Sequence, residues 1–151
     1  MDEYFFVSYS TVDAAEFVLM LADDLAAGPP SYPVWVDKRS LRPGEDWDEQ
    51  VVEALRTCRG LLFVLTRDSA GPDSGCKQEW VRALKYKKPV IPLRLHPDAE
   101  LPFRLGSREF IDFSGGYSGA LAQLRKHLAW TSTPAGVLHE LRTLQIGRAH
   151  V

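Results

Sequence analysis

The chain has 151 residues, 45% hydrophobic, 11% aromatic and 25% charged, with a formal net charge of −2. That length supports one domain with its own core, and the composition excludes disordered, collagen-like and low-complexity chains. The near balance of 18 Lys and Arg against 20 Asp and Glu gives no broad positive field for gripping nucleic acid or an anionic membrane.

Tyr4 to Tyr9 (YFFVSY) is a short aromatic and β-branched run that reads as a buried strand. It leads through Ser8-Tyr9-Ser10 to Thr11 or Asp13, either of which is expected to cap a helix running to about Ala27. Phe17, Met20, Leu21 and Leu25 form the apolar face of that helix, and Gly28-Pro29-Pro30-Ser31 breaks it. Val34-Trp35-Val36 is a second strand, followed by a polar loop from Asp37 to Asp46 and a helix from Trp47 to Cys58 with Val51, Val52 and Leu55 at helical spacing. Leu61 to Leu65 is wholly apolar, the mark of a central parallel strand covered on both faces. A loop from Thr66 to Gly75 precedes a helix from about Cys76 to Tyr86, and a strand follows at Val90 to Leu95. A weaker strand, Phe110 to Phe113, and a helix from about Gly116 to Trp130 complete the pattern, with Leu121, Leu124 and Leu128 as the last helix's stripe.

Alternating strands and helices imply an α/β fold with helices on both faces of a parallel sheet. Five strands suit a flavodoxin-like three-layer sandwich of order 2-1-3-4-5, whose ligands bind beyond the carboxyl ends of the strands. The domain is expected over residues 1–130. Thr131 to Gly136 reads as a linker, and Val137 to Ile146 as a short amphipathic helix. Residues 131–151 are therefore either the start of a further domain of a longer parent protein or a packed terminal helix.

Cys58 and Cys76 are too few for a disulfide framework and point to a reducing cytoplasm. The acidic start, Met1-Asp2-Glu3, lacks the basic region of a signal peptide, and no apolar run approaches the ~20 residues that span a bilayer. There is no Walker-type phosphate loop, no G-x-G-x-x-G and no nucleophile elbow. His96, His127, His139 and His150 are scattered and no C-x-x-C occurs, so no metal site is expected.

The residues left to carry chemistry sit at strand ends, which converge on one rim of a parallel sheet. Ser8 and Ser10 follow the first strand, Asp37 ends the second, and Glu79 falls in the expected first turn of the helix after the third. A glutamate there is favoured as an anion by the helix dipole. It can accept hydrogen bonds from sugar hydroxyls or steady a positively charged sugar in a transition state, and equally it can serve only the helix. Cys76 reads as a small packing residue, and Trp80 and Trp47 as core aromatics.

Several segments together resemble a known family. Phe5-Phe6-Val7-Ser8-Tyr9-Ser10 is similar to the opening F-x-S-Y-S box of the TIR domain (Toll/interleukin-1 receptor), bacterial type. Trp35-Val36-Asp37, with Leu41-Arg42-Pro43-Gly44 and Trp47, resembles its second box and mobile BB loop. Leu62 to Thr66, followed by Ser74, Cys76 and Glu79-Trp80, resembles the third strand leading into S-x-C-x-x-E-W. Lys88 to Leu93 resembles the fourth strand, and Leu101-Pro102-Phe103 and Phe110 to Phe113 the later elements. The order and spacing hold over residues 4 to 130.

The resemblance implies one of two kinds of work. One is NAD+ glycohydrolase activity, cleaving the nicotinamide–ribose bond to nicotinamide and ADP-ribose or a cyclic isomer, in prokaryotic antiviral defence and switched on by self-association. The other is a non-catalytic adaptor that signals by protein contact. The first makes Glu79 the catalytic residue, with NAD+ as substrate and no cofactor. Ser8, Tyr9, Ser10, Asp37, Arg39 and Arg42 are then candidate substrate contacts, and Leu41, Pro43, Gly44 and Trp47 candidate loop and interface residues. Many catalytic members carry an aromatic residue just before the cysteine, where this chain has Gly75, leaving Tyr9, Phe5 or a second subunit to supply the ring. A third class, a nucleotide-sugar hydrolase or deoxyribosyltransferase-like enzyme on a related sheet, suits the glutamate but not the Pro43-Gly44 loop.

Overall fold

A computed structural model describes residues 3–36, 49–106 and 108–149, the last seven of these as backbone only. The expected site and loop residues Asp37, Arg39, Leu41, Arg42, Pro43, Gly44 and Trp47 lie outside the described residues. Within them, strands β1 (Phe5–Ser8), β2 (Val34–Val36), β3 (Gly60–Leu65), β4 (Val90–Arg94) and β5 (Ile111–Asp112) alternate with helices α1 (Ala15–Ala27), α2 (Glu49–Thr57), α3 (Gly75–Lys85) and α4 (Tyr117–Thr131). The sheet is parallel with order β2-β1-β3-β4-β5, the flavodoxin-like arrangement expected from the alternation.

Successive strand residues face opposite sides of a sheet, and here each side has its own core. Phe5 and Val7 of β1 join Leu62 and Val64 of β3 against Val18, Leu21 and Leu25 of α1 and Leu124 and Leu128 of α4. Phe6 joins Leu61, Phe63 and Leu65 against Val51 and Leu55 of α2 and Trp80 and Ala83 of α3. Ser8, two residues beyond Phe6, is fully buried at the carboxyl end of β1. That alternation places a hydroxyl under α3.

Three sequence expectations need correction. The inner face of α1 is Val18, Leu21 and Leu25, whereas Met20 is 46% exposed and Phe17 is only partly buried. Neither Thr11 nor Asp13 caps α1; Ala14 holds the N-cap position without a side-chain bond. The Asp13 carboxylate instead accepts from Thr66 Oγ1 at 2.8 Å and from the Asp68 backbone N–H at 3.2 Å. A long-range demand of the β3–α3 loop outweighs a local capping preference.

The third correction concerns the expected linker. Helix α4 runs through Thr131 and α5 (Pro134–Ala149) begins almost at once. Proline suits a helix start, where its missing N–H costs nothing, and Thr133 Oγ1 accepts from the Gly136 N–H at 3.1 Å. Glycine is needed at 136 because an added Cβ would lie 2.2 Å from the Trp130 carbonyl oxygen. Trp130 meets the His139 ring at 5.4 Å, and Arg59 Nη2 donates to Ser132 Oγ at 2.6 Å, fastening the junction to the start of β3. Gly136→Ala is expected to weaken this packing by about 1–3 kcal/mol. Hydrogen exchange should then show α5 losing protection while the sheet amides keep theirs.

Among the described residues no helix is long and apolar enough to cross a membrane.

Candidate functional site

An open cavity of about 450 Å³ lies over the carboxyl ends of β1 and β3, between the start of α1 and the start of α3. Its wall includes Val7, Tyr9 and Ser10 from the β1 exit, Asp68 and Asp73 from the β3–α3 loop, and Ser74, Gly75, Cys76 and Glu79 from α3 and its cap. This is the rim where a doubly wound sheet collects its ligands.

Glu79 is positioned from both sides of its backbone. Ser74 caps α3 by accepting from the Cys76 N–H at 3.1 Å, which fixes where the helix begins. The helix starts at Gly75, so Glu79 sits in the second turn and not in the first as expected. The dipole fades within the first turn, so the helix terminus contributes less to holding this carboxylate than its position in the sequence suggests. The Ser8 hydroxyl contributes instead, donating to Glu79 Oε1 at 2.6 Å across 71 residues of sequence. Glu79 is 7% exposed, with Trp80 fully buried beside it.

The second serine of the box holds a second carboxylate. Ser10 Oγ donates to Asp68 Oδ2 and accepts from the Val12 N–H. Asp68 is exposed at the cavity mouth and is held in place through its backbone by Asp13. Ser69 tightens the same loop, accepting from the Thr66 N–H at 2.8 Å and donating to the Val64 carbonyl at 2.7 Å. His96 Nδ1 accepts from the Arg67 N–H at 3.1 Å.

Of the expected substrate contacts, Tyr9 and Ser10 line the cavity. Ser8 does not: it is completely buried and its hydroxyl serves Glu79. Phe5, one expected source of an aromatic ring in place of Gly75, is buried in the core beneath the Arg59 guanidinium. Tyr9 is the described candidate ring that reaches the cavity. The sequence does not single out Asp68 and offers Asp13 only as a helix cap, although Asp68 lies three residues past the end of β3, where strand-end reasoning applies to it as well.

Cys76 is 3% exposed, and burial, reinforced by the negative charge of Glu79, pushes its thiol up to about 12. Burial likewise pushes the Cys58 thiol up to about 11. Neither is a nucleophile at neutral pH. Both thiols ionise more easily unfolded than folded, so their contribution to stability is complete below pH 9 and is lost as pH rises towards 11 and 12. Denaturation midpoints should therefore hold up to about pH 9 and fall above it. The Cys58→Ala, Cys76→Ala double variant should show a smaller fall.

The described lining of the cavity carries Asp68, Asp73 and Glu79 and no Lys, Arg or His. Among the described side chains, these charges favour a cation or a centre that gains positive charge. Among the described residues no group of His, Cys, Asp and Glu is placed to hold a metal ion.

Comparison with known proteins agrees with this architecture. The family model described as "TIR domain" matches residues 5–128. An uncharacterised protein of Sinorhizobium fredii, y4cD, is 33% identical over 129 residues, covering 82% of this chain but only 20% of its own length. The chain thus spans about a fifth of that relative. Among solved structures, the TIR domains of the activated Roq1 resistosome, which recognises the pathogen effector XopQ, superpose with a TM-score of 0.64 at 16% identity, over 84% of this chain and 99% of theirs. The TIR domain of the Toll-related receptor TRR-2 of Hydra magnipapillata gives 0.59 at 17% identity, covering 93% and 97%. A TIR-STING receptor from C. gigas gives 0.56 at 17% identity, over 78% of this chain and 38% of that one. A family match spanning the whole sheet, three helices and most of α4 settles the relationship: the chain belongs to the TIR domain family.

Proposed function

We propose that this TIR domain is an NAD+ glycohydrolase that cleaves the nicotinamide–ribose bond when copies of it associate. The observation that carries the reading is the Ser8–Glu79 pair at 2.6 Å beside a cavity whose described wall is acidic. Breaking the bond leaves positive charge on the ribose, and nicotinamide departs as a neutral molecule needing no proton. A carboxylate fixed under that carbon stabilises the charge as it forms, and a group fixed beforehand pays no reorganisation cost during the reaction. The hydroxyls of the same ribose are natural donors to Glu79. Tyr9 supplies an aromatic face where Gly75 has none, and the diphosphate lies towards residues outside this acidic wall.

The bacterial relative, of which the chain spans a fifth, supports a prokaryotic setting with further domains. The resistosome that shares the fold supports activation by assembly in a defence response. A concentration series tests both parts together: nicotinamide released from NAD+ per mole of protein should rise steeply as the chain self-associates. A second reading, a non-catalytic adaptor, rests on Phe103, 99% exposed beside an apolar pocket lined by Pro72, Trp80 and Pro102. Association without any nicotinamide release would favour it.

A further inference from the structure

We infer that Asp68 is a second catalytic carboxylate, the general base for the attacking water, and that it commits the bound dinucleotide to hydrolysis. The inference rests on the glycohydrolase reading of the cavity. Ser8 and Ser10 stand two residues apart at the exit of β1, and each donates its hydroxyl to a carboxylate of the same cavity. The two acids have opposite settings. Glu79 is buried on α3, whereas Asp68 is exposed at the mouth, where water and protons pass freely. Enzymes that break glycosidic bonds divide their work between two carboxylates whose surroundings differ in this way.

Asp68 is also held still. Its Oδ2 takes the Ser10 hydroxyl, its backbone N–H is bound by Asp13, and its carbonyl accepts from the Gly71 N–H at 3.2 Å. Its Oδ1 has no hydrogen bond among the described residues and remains free for water. As the C1′–N1 bond breaks, its electron pair leaves with neutral nicotinamide. A lone pair of water forms the new C1′–O bond, and the proton lost from that water passes to Asp68 Oδ1 and then to solvent. Glu79 stays ionised throughout and Asp68 ends as it began.

A competing pyridine base tests the assignment, because a pyridine nitrogen attacks C1′ without a proton to lose. The native chain is given NAD+ with 3-acetylpyridine, and the ratio of ADP-ribose to exchanged dinucleotide is measured. Asp68→Asn is expected to lower that ratio about 100-fold, the usual contribution of a general base. Azide, which needs no deprotonation, should restore turnover to the variant as ribosyl azide. If Asp68 only shapes the loop, both products fall together, the ratio is unchanged and the assignment is overturned. Should the variant fail to fold, the native chain answers in heavy water: the ratio should drop, and an unchanged ratio overturns the assignment. No nicotinamide from the native chain under any assembled condition overturns the glycohydrolase reading itself, and the role of Asp68 with it.

Discussion

Glu79→Gln is expected to reduce NAD+ cleavage about 10²–10³-fold, equivalent to roughly 3–4 kcal/mol of transition-state stabilisation. The substitution keeps the shape and the Ser8 contact, since the Ser8 hydroxyl can donate to the new amide oxygen as it does to Oε1 at 2.6 Å. What disappears is the negative charge beneath the ribose. The melting temperature should therefore stay close to that of the native chain while turnover collapses. Should Glu79 instead serve only α3, turnover would be untouched, and the proposed mechanism would be wrong.

The largest effect on stability is expected at the neighbouring position. Trp80 is among the largest fully buried side chains and closes the core between α3 and the sheet, with Phe6, Phe63 and Leu65 in the same cluster. Trp80→Ala should cost about 3–5 kcal/mol, read from urea or thermal unfolding. The loss is one of packing, because Trp80 Nε1 has no hydrogen-bond partner among the described residues. Trp80→Phe is accordingly expected to be far milder, since it keeps most of the volume and removes an unsatisfied donor. Trp80→Ala should also impair catalysis, because α3 carries Glu79 one residue before the cavity it creates.

The architecture was legible because the strands carry their burial in their composition. Leu61 to Leu65 is apolar throughout, and all of β3 is buried. The motif spacing singles out Glu79 and the box serines as candidates, and both serines donate to acidic side chains of the cavity. Capping preferences were a poorer guide. Asp13 has the right chemistry for an N-cap, yet its carboxylate bridges to Thr66 and Asp68, partners 53 and 55 residues away. Nothing local in the sequence signals that choice.

Helical periodicity puts Met20 on the inner face of α1, because Met20 satisfies an approximate stripe with Leu21 and Leu25 as well as Val18 does. Packing under β1 selects the compact, stiff Val18 and leaves Met20 at the surface. The junction before α5 shows the opposite problem. Thr131 to Gly136 has linker composition, yet its proline suits a helix start and its glycine admits the Trp130 carbonyl. The same residues that usually break structure here permit two helices to pack. Asp68 escaped notice because it belongs to no box, and its partner Ser10 is 58 residues distant.

Free nicotinamide is the most direct measure of the central claim. The native chain, concentrated until it self-associates and given NAD+, should release many equivalents of nicotinamide per mole, with Glu79→Gln assembled at the same concentration as the comparison. Multiple turnovers by the native chain and near silence from the variant are the predicted result. Assembly without nicotinamide, or equal release by both proteins, would contradict it.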